Sequence, residues 1–155
     1  MDIGISEKNR TAVVKILNET LSDEYVLYTK SRNYHWNVTG PDFSELHKFF
    51  EAQYEELNGI IDEAAERARS LGGRSLGTLK EFLAHTQLAE SSANCPAAAK
   101  MIANLLADHE AVIKKLREDA EACVKFGDAG TNDFLVGLME QHEKMAWMLR
   151  SYLEK

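Results

Sequence analysis

The chain has 155 residues, a mass of 17.4 kDa and a formal charge of −7, from 18 Lys and Arg against 25 Asp and Glu; one domain over residues 1–155 is expected, since compact domains run to about 100–200 residues. Ala, Glu, Leu, Lys and Arg make up 70 of the 155 residues against only 9 Gly and 2 Pro, which excludes a turn-rich β-sandwich, and with 45% apolar residues the chain can form a core that requires neither disorder nor a disulfide-stapled miniature. The negative balance repels nucleic-acid phosphates and favours cations. Asn, Lys or Glu interrupts every apolar cluster short of the roughly 20 residues that span a bilayer. Cys95 and Cys123 lack paired spacing and no signal segment is visible, so a soluble cytoplasmic protein with two ordinary buried thiols is expected.

The first apolar stripe, Val14, Leu17, Leu21, Tyr25 and Tyr28, advances in steps of three and four, the spacing of one helix face. It predicts a helix from near Ser6 to near Asn37, stopped by Gly40-Pro41-Asp42, with Asp42 able to cap the next one. The second stripe, Leu46, Phe50, Tyr54, Leu57, Ile61, Ala64, Ala68 and Leu71, keeps helical period up to Gly72-Gly73. Residues 72–95 are rich in glycine and serine and carry one short helical patch at Leu79–Leu83. Asn94 and Pro96 supply a cap and first-turn pair for a third long helix with Met101, Leu105, His109, Val112, Leu116 and Cys123 inward, ended by Gly127. The fourth stripe runs Leu135, Leu138, His142, Met145, Leu149, Tyr152. The expected fold is all-α, a four-helix bundle whose long crossover between helices two and three carries a short helix, the connectivity of ferritin-like folds.

Beside its apolar stripe, helix two carries His47, Glu51, Asp62 and Glu66. At 100° per residue these stand at about 0°, 40°, 60° and 100°, all on one side. His47 with Glu51, and Asp62 with Glu66, are i,i+4 neighbours able to share an ion. Yet His47 and Asp62 are roughly 22 Å apart along the axis, so one helix cannot close the site. The pairs 47/66 and 51/62 share a midpoint between residues 56 and 57. Two copies of the helix packed antiparallel across a two-fold axis there would place His47 opposite Glu66 and Glu51 opposite Asp62, making two identical sites per dimer. His35, across the turn from His47, brings a second imidazole. Each i,i+4 pair alone is a weak signal that reads first as solvated surface, with Arg67 and Arg69 as ordinary ion-pair partners. The joint pattern points to metal. Imidazole and carboxylate without thiolate suit iron, manganese or zinc, and carboxylates favour the ferric state. Peroxide takes two electrons, which two irons held together can supply without releasing a radical.

The run Tyr34-His35-Trp36-Asn37-Val38-Thr39-Gly40, then Phe43, Leu46-His47, Glu51 and Asp62-Glu63-Ala64-Ala65-Glu66-Arg67, resembles the Dps family of mini-ferritins, a resemblance that covers nearly the whole chain. Glu51 stands where many members have Asp. The resemblance implies a hollow dodecamer with di-iron ferroxidase sites at two-fold interfaces, in which His35, His47, Asp62 and Glu66 are catalytic and Glu51 completes the ligands. Zinc or manganese would be possible substitutes for iron. Fe(II) would be oxidised preferably by hydrogen peroxide, with oxygen as the other oxidant, and stored as ferric mineral, in the cytoplasm or beside the nucleoid. Larger ferritins place their site inside one bundle with Glu-x-x-His motifs, and none occurs here.

Twelve copies at −7 would carry −84. The resemblance further suggests that residues 127–133 line a three-fold iron-entry pore, with Asp128 and Asp133 as cation guides; helix capping accounts for the same acids equally well. Met1 to Ser6 holds no Lys or Arg and the chain stops directly after helix four. Tail-mediated DNA binding is therefore not expected, although Lys8 and Arg10 repeated over many chains form a weak patch. Trp36 has two readings, a radical quencher by family analogy and an interface packing residue. His109, between Asp108 and Glu110, is either a stray ion ligand or satisfied by neighbours, and His142 is expected in the core. Two rival functions remain: a DNA-coating structural protein with secondary metal binding, and a zinc-stabilised, non-catalytic oligomer.

Overall fold

The computed structural model describes residues 1–154 and contains five helices in the order α1 (Glu7–Asn37), α2 (Phe43–Ser70), α3 (Leu79–His85), α4 (Ala98–Lys125) and α5 (Ala129–Leu153), with no strand among the described residues. α1 and α2 form one antiparallel pair and α4 and α5 a second. The two pairs meet through α1 and α4, and the short α3 lies against α1. Among the described residues no helix is long and apolar enough to cross a membrane. This is the expected all-α bundle with its crossover helix.

The helix ends follow from local chemistry. Ser6 caps α1, its Oγ accepting the Asn9 N–H at 3.3 Å. α2 and α4 stop alike: Gly72 and Gly127 take positive φ of 84° and 74°, and the next amides, of Gly73 and Asp128, turn back to the carbonyls of Ala68 and Cys123 at 3.1 and 3.0 Å. Glycine reaches that left-handed conformation without a Cβ clash. α3 carries a reciprocal capping box between Thr78 and Glu81.

Two expected caps differ. Asp42 occupies the position before α2 but makes no side-chain hydrogen bond there. α4 begins at Ala98 behind Ala97, which lacks a side-chain cap, and not at Pro96. The Asn94 carbonyl instead accepts the Ser92 hydroxyl at 2.9 Å, and Ala97 is extended with ψ 153°, so the connection stays irregular for two more residues.

Val13, Leu17, Leu27, Phe50, Leu57, Leu105, Leu116, Leu135 and Leu149 are fully buried at the centre. On α1 the buried face is Val13, Leu17 and Leu21, then Val26, Leu27 and Tyr34, while Val14, Tyr25 and Tyr28 are only half-buried. The cause is that α1 touches α2, α3 and α4 at once. A helix enclosed on three sides buries polar residues too, here Ser22, Asp23, Glu24, Lys30 and Ser31, and its inward face cannot be read from apolar period alone. Tyr152, beyond the last core layer, is exposed, and Cys95 is half-buried, not fully as expected.

Candidate metal centre

The turn at Gly40-Pro41-Asp42 reverses the chain so that the last turn of α1 lies beside the first turn of α2. His35 and His47 meet there, rings stacked with centroids 3.8 Å apart and planes at 19°. His35 Nδ1 is 2.7 Å from the His47 carbonyl oxygen, and His47 Nδ1 is 2.8 Å from the His35 carbonyl oxygen. A carbonyl only accepts, so each Nδ1 carries the hydrogen and donates. In the neutral rings both Nε2 lone pairs are then free to coordinate, each ring held by a hydrogen bond behind it. Phe43 stacks on His47 at 5.2 Å, and the Tyr54 ring stands edge-on to His35 at 5.3 Å.

Glu51, one turn beyond His47, is half-buried and accepts the Tyr54 hydroxyl at 3.3 Å. Loss of solvent, and then the Glu51 charge, raise the Tyr54 phenol above its ordinary value. Asp62 and Glu66 lie farther along α2, exposed. Within one chain the structure brings His35, His47 and Glu51 into one neighbourhood and leaves Asp62 and Glu66 apart from it. Among the described residues no three His, Cys, Asp or Glu side chains of one chain are placed to hold a metal ion together.

An aromatic cluster beside the histidines was not anticipated. The Arg32 guanidinium lies over the rings of Tyr54 at 4.7 Å, Trp36 at 5.1 Å and Tyr28 at 5.5 Å. It also donates to the Tyr28 hydroxyl at 2.6 Å, the contact that raises its own pKa most. The i,i+4 spacing of 28, 32 and 36 on α1 was the available signal. The contribution of Tyr54 from α2 was visible only after folding.

Asp128 is 2% exposed and fully engaged within its own chain. It accepts the Thr131 N–H at 2.9 Å and hydroxyl at 2.6 Å, and pairs with Arg67 Nη2 at 3.0 Å. A Cβ on Gly130 would come within 2.9 Å of that guanidinium. Helix capping therefore accounts for Asp128, whereas Asp133 is exposed. Cys123 is inert by burial, its thiol pushed up to about 11. Trp36 and Trp147 are largely exposed, and His109 and His142 fully buried.

The ferritin-like domain model matches residues 14–155. An uncharacterized low temperature-induced protein of Nostoc is 45% identical over 99% of this chain and 87% of its own length. DNA protection during starvation protein 2 of Bacillus anthracis is 37% identical over 92% of this chain and 97% of its own. The crystal structure of a Dps protein from Vibrio cholerae O1, described as a member of a broad superfamily of ferritin-like diiron-carboxylate proteins, superposes with a TM-score of 0.93 at 30% identity, covering 98% of this chain and 95% of that one.

Proposed function

The chain belongs to the ferritin-like family, in its Dps branch, and from that premise we propose that it is a ferroxidase and iron store whose sites are shared between two subunits. The supporting observation is the reciprocal lock of His35 and His47, which orients two imidazoles with bare Nε2 atoms at the start of α2. Glu51 adds a carboxylate beside them. Asp62 and Glu66 stand exposed on the same helix, about the same midpoint, ready to serve a second copy.

In this reading Fe(II) is the substrate. The imidazoles bind and orient it, and the hard carboxylates of the partner's α2 stabilise the oxidised charge. Two Fe(II) ions give one electron each to hydrogen peroxide, which takes up two protons and leaves as two waters. Oxygen is the alternative oxidant, and zinc or manganese would occupy the same donors without turnover. Twelve subunits would enclose the ferric mineral, with Asp133 guiding iron through a three-fold opening, in the cytoplasm.

Stopped-flow Fe(II) oxidation, with peroxide and with oxygen separately, on protein of verified assembly size, tests this. His47→Ala and Asp62→Ala are expected to lower the initial rate at least about 10-fold while the assembly persists. Full rate in both variants rejects these ligands. Tight, salt-sensitive DNA retardation by the wild type, with iron oxidation slow, would instead favour the DNA-coating reading.

A further inference from the structure

Three fully buried ionisable side chains stand in the bundle core away from the candidate metal centre: Glu24 of α1, His109 of α4 and His142 of α5. His109 Nδ1 lies 2.9 Å from His142 Nδ1. The other nitrogen of His142, Nε2, lies 2.9 Å from Glu24 Oε1. That second contact is at ion-pair distance but off the line of a hydrogen bond, and Glu24 Oε2 and His109 Nε2 have no hydrogen-bond partner either. The three groups form a row with His142 in the middle, tying α1 to α5 and α5 to α4.

Among the described residues no buried Lys or Arg is left unpaired to supply a counter-charge. Lys30, the one buried Lys or Arg among the described residues, is committed to Asp108 at 2.5 Å. Asp23 of α1 accepts from Thr86 and Gln87, and Asp119 of α4 is held by Lys115. The buried residues of α2 and α3 include no titratable group.

Three proton arrangements satisfy the distances. With both rings neutral and Glu24 ionised, His109 donates to His142, the His142 Nε2–H faces Glu24, and the core keeps a bare negative charge with unpartnered acceptors at both ends. With one more proton His142 donates to His109 and the row is neutral, the added proton standing in the contact between His142 Nε2 and Glu24 Oε1, on the ring or on the carboxyl. An uncompensated charge in a dry interior is far costlier than a paired one.

We infer that Glu24, His142 and His109 capture one proton in the core, His142 becoming an imidazolium held between the Glu24 carboxylate and the His109 Nδ1 lone pair, and that this proton latches α1 to α4 and α5. Burial and the His142 charge hold His109 well below the ordinary histidine range, so His109 stays neutral and accepts. The unfolded chain gives up the same proton near about pH 6.5. The latch therefore contributes fully below that pH and weakens as pH rises above it.

Nitrogen-15 histidine spectra of the iron-free assembly at about pH 7.5, a unit above the ordinary imidazole value, read the state directly. Among the five histidines, one ring is expected to carry both protons. In Glu24→Gln that ring should become neutral, and the thermal midpoint should fall less steeply between about pH 6.5 and 8.5 than in the wild type. Neutral rings throughout the wild type overturn the inference whether or not the variant folds. Parallel melting profiles in a folded variant overturn it too. So does a metal ion that survives chelation in the wild type and is lost with Glu24, because that ion would be the counter-charge.

Discussion

His35 and His47 divide their ring nitrogens between two tasks. Each Nδ1 anchors to the backbone of the other residue, and each Nε2 is left for chemistry. Replacing either side chain thus removes a proposed ligand and the ring stacked on its neighbour, while the backbone carbonyl that anchors the neighbour's Nδ1 stays, so the two losses should not add independently. His109 lies at the opposite extreme, with no solvent contact, and burial and then the His142 charge depress its pKa. The sign of its effect follows. The unfolded chain takes up a proton near about pH 6.5 that the folded His109 refuses, so its stabilising contribution is complete above that pH and declines below it, by at most about 1.4 kcal/mol per pH unit. Urea midpoints of the wild type should fall more steeply between about pH 6.5 and 5 than those of His109→Gln, which removes the titrating group. Equal slopes would show that His109 is not excluding a proton.

The helices owe their limits to glycines and caps, and one contact between elements is tight enough to test. Gly73, just past α2, packs so closely on α1 that a Cβ there would lie 2.3 Å from Val14 Cγ1. Gly73→Ala is expected to destabilise the protein by about 1–3 kcal/mol through overpacking. Adding Val14→Ala should restore part of that loss. A Gly73→Ala protein with an unchanged urea midpoint would mean that the α1–α2 seam yields. The same seam shows where periodicity misleads. Periodicity places Val14 inward, whereas Val13 is the buried residue and Val14 is half-buried, lying against Gly73 of the loop after α2. The stops at Gly72-Gly73 and Gly127 were legible because a left-handed residue is a local requirement. The start of α4 was not, because the irregular chain before it is held by contacts such as Cys95 Sγ to Asn33 Oδ1 of α1, at 3.6 Å.

For the whole molecule, the proposed sharing of sites makes a prediction that no single variant can make. Subunits carrying His47→Ala keep Asp62, and subunits carrying Asp62→Ala keep His47. Both homogeneous assemblies should be slow. Unfolded together and reassembled at equal ratio, they should regain activity, because half of the two-fold contacts are mixed and each mixed contact holds one intact and one doubly defective site. Recovery to roughly a quarter of the wild-type rate is expected from random pairing. No recovery in well-formed mixed shells would place the complete site within one chain. The formal charge of −7 per chain favours the approach of cations over the whole surface.

The helical class, the four long elements with their crossover helix, and the histidine–carboxylate face of α2 are legible in the chain, because residue type, period and turn chemistry act over a few neighbouring residues. Its repeat about the middle of α2 also carried the idea of a shared centre. Folding was needed to reveal the tautomer lock of His35 on His47, the arrival of Tyr54 beneath Arg32, the capture of Asp128 by Arg67 from 61 residues away, and the row of Glu24, His142 and His109 drawn from three helices. Those depend on which side chains meet across helix pairs, and hydrogen-bond direction and burial come into being only when the pairs close.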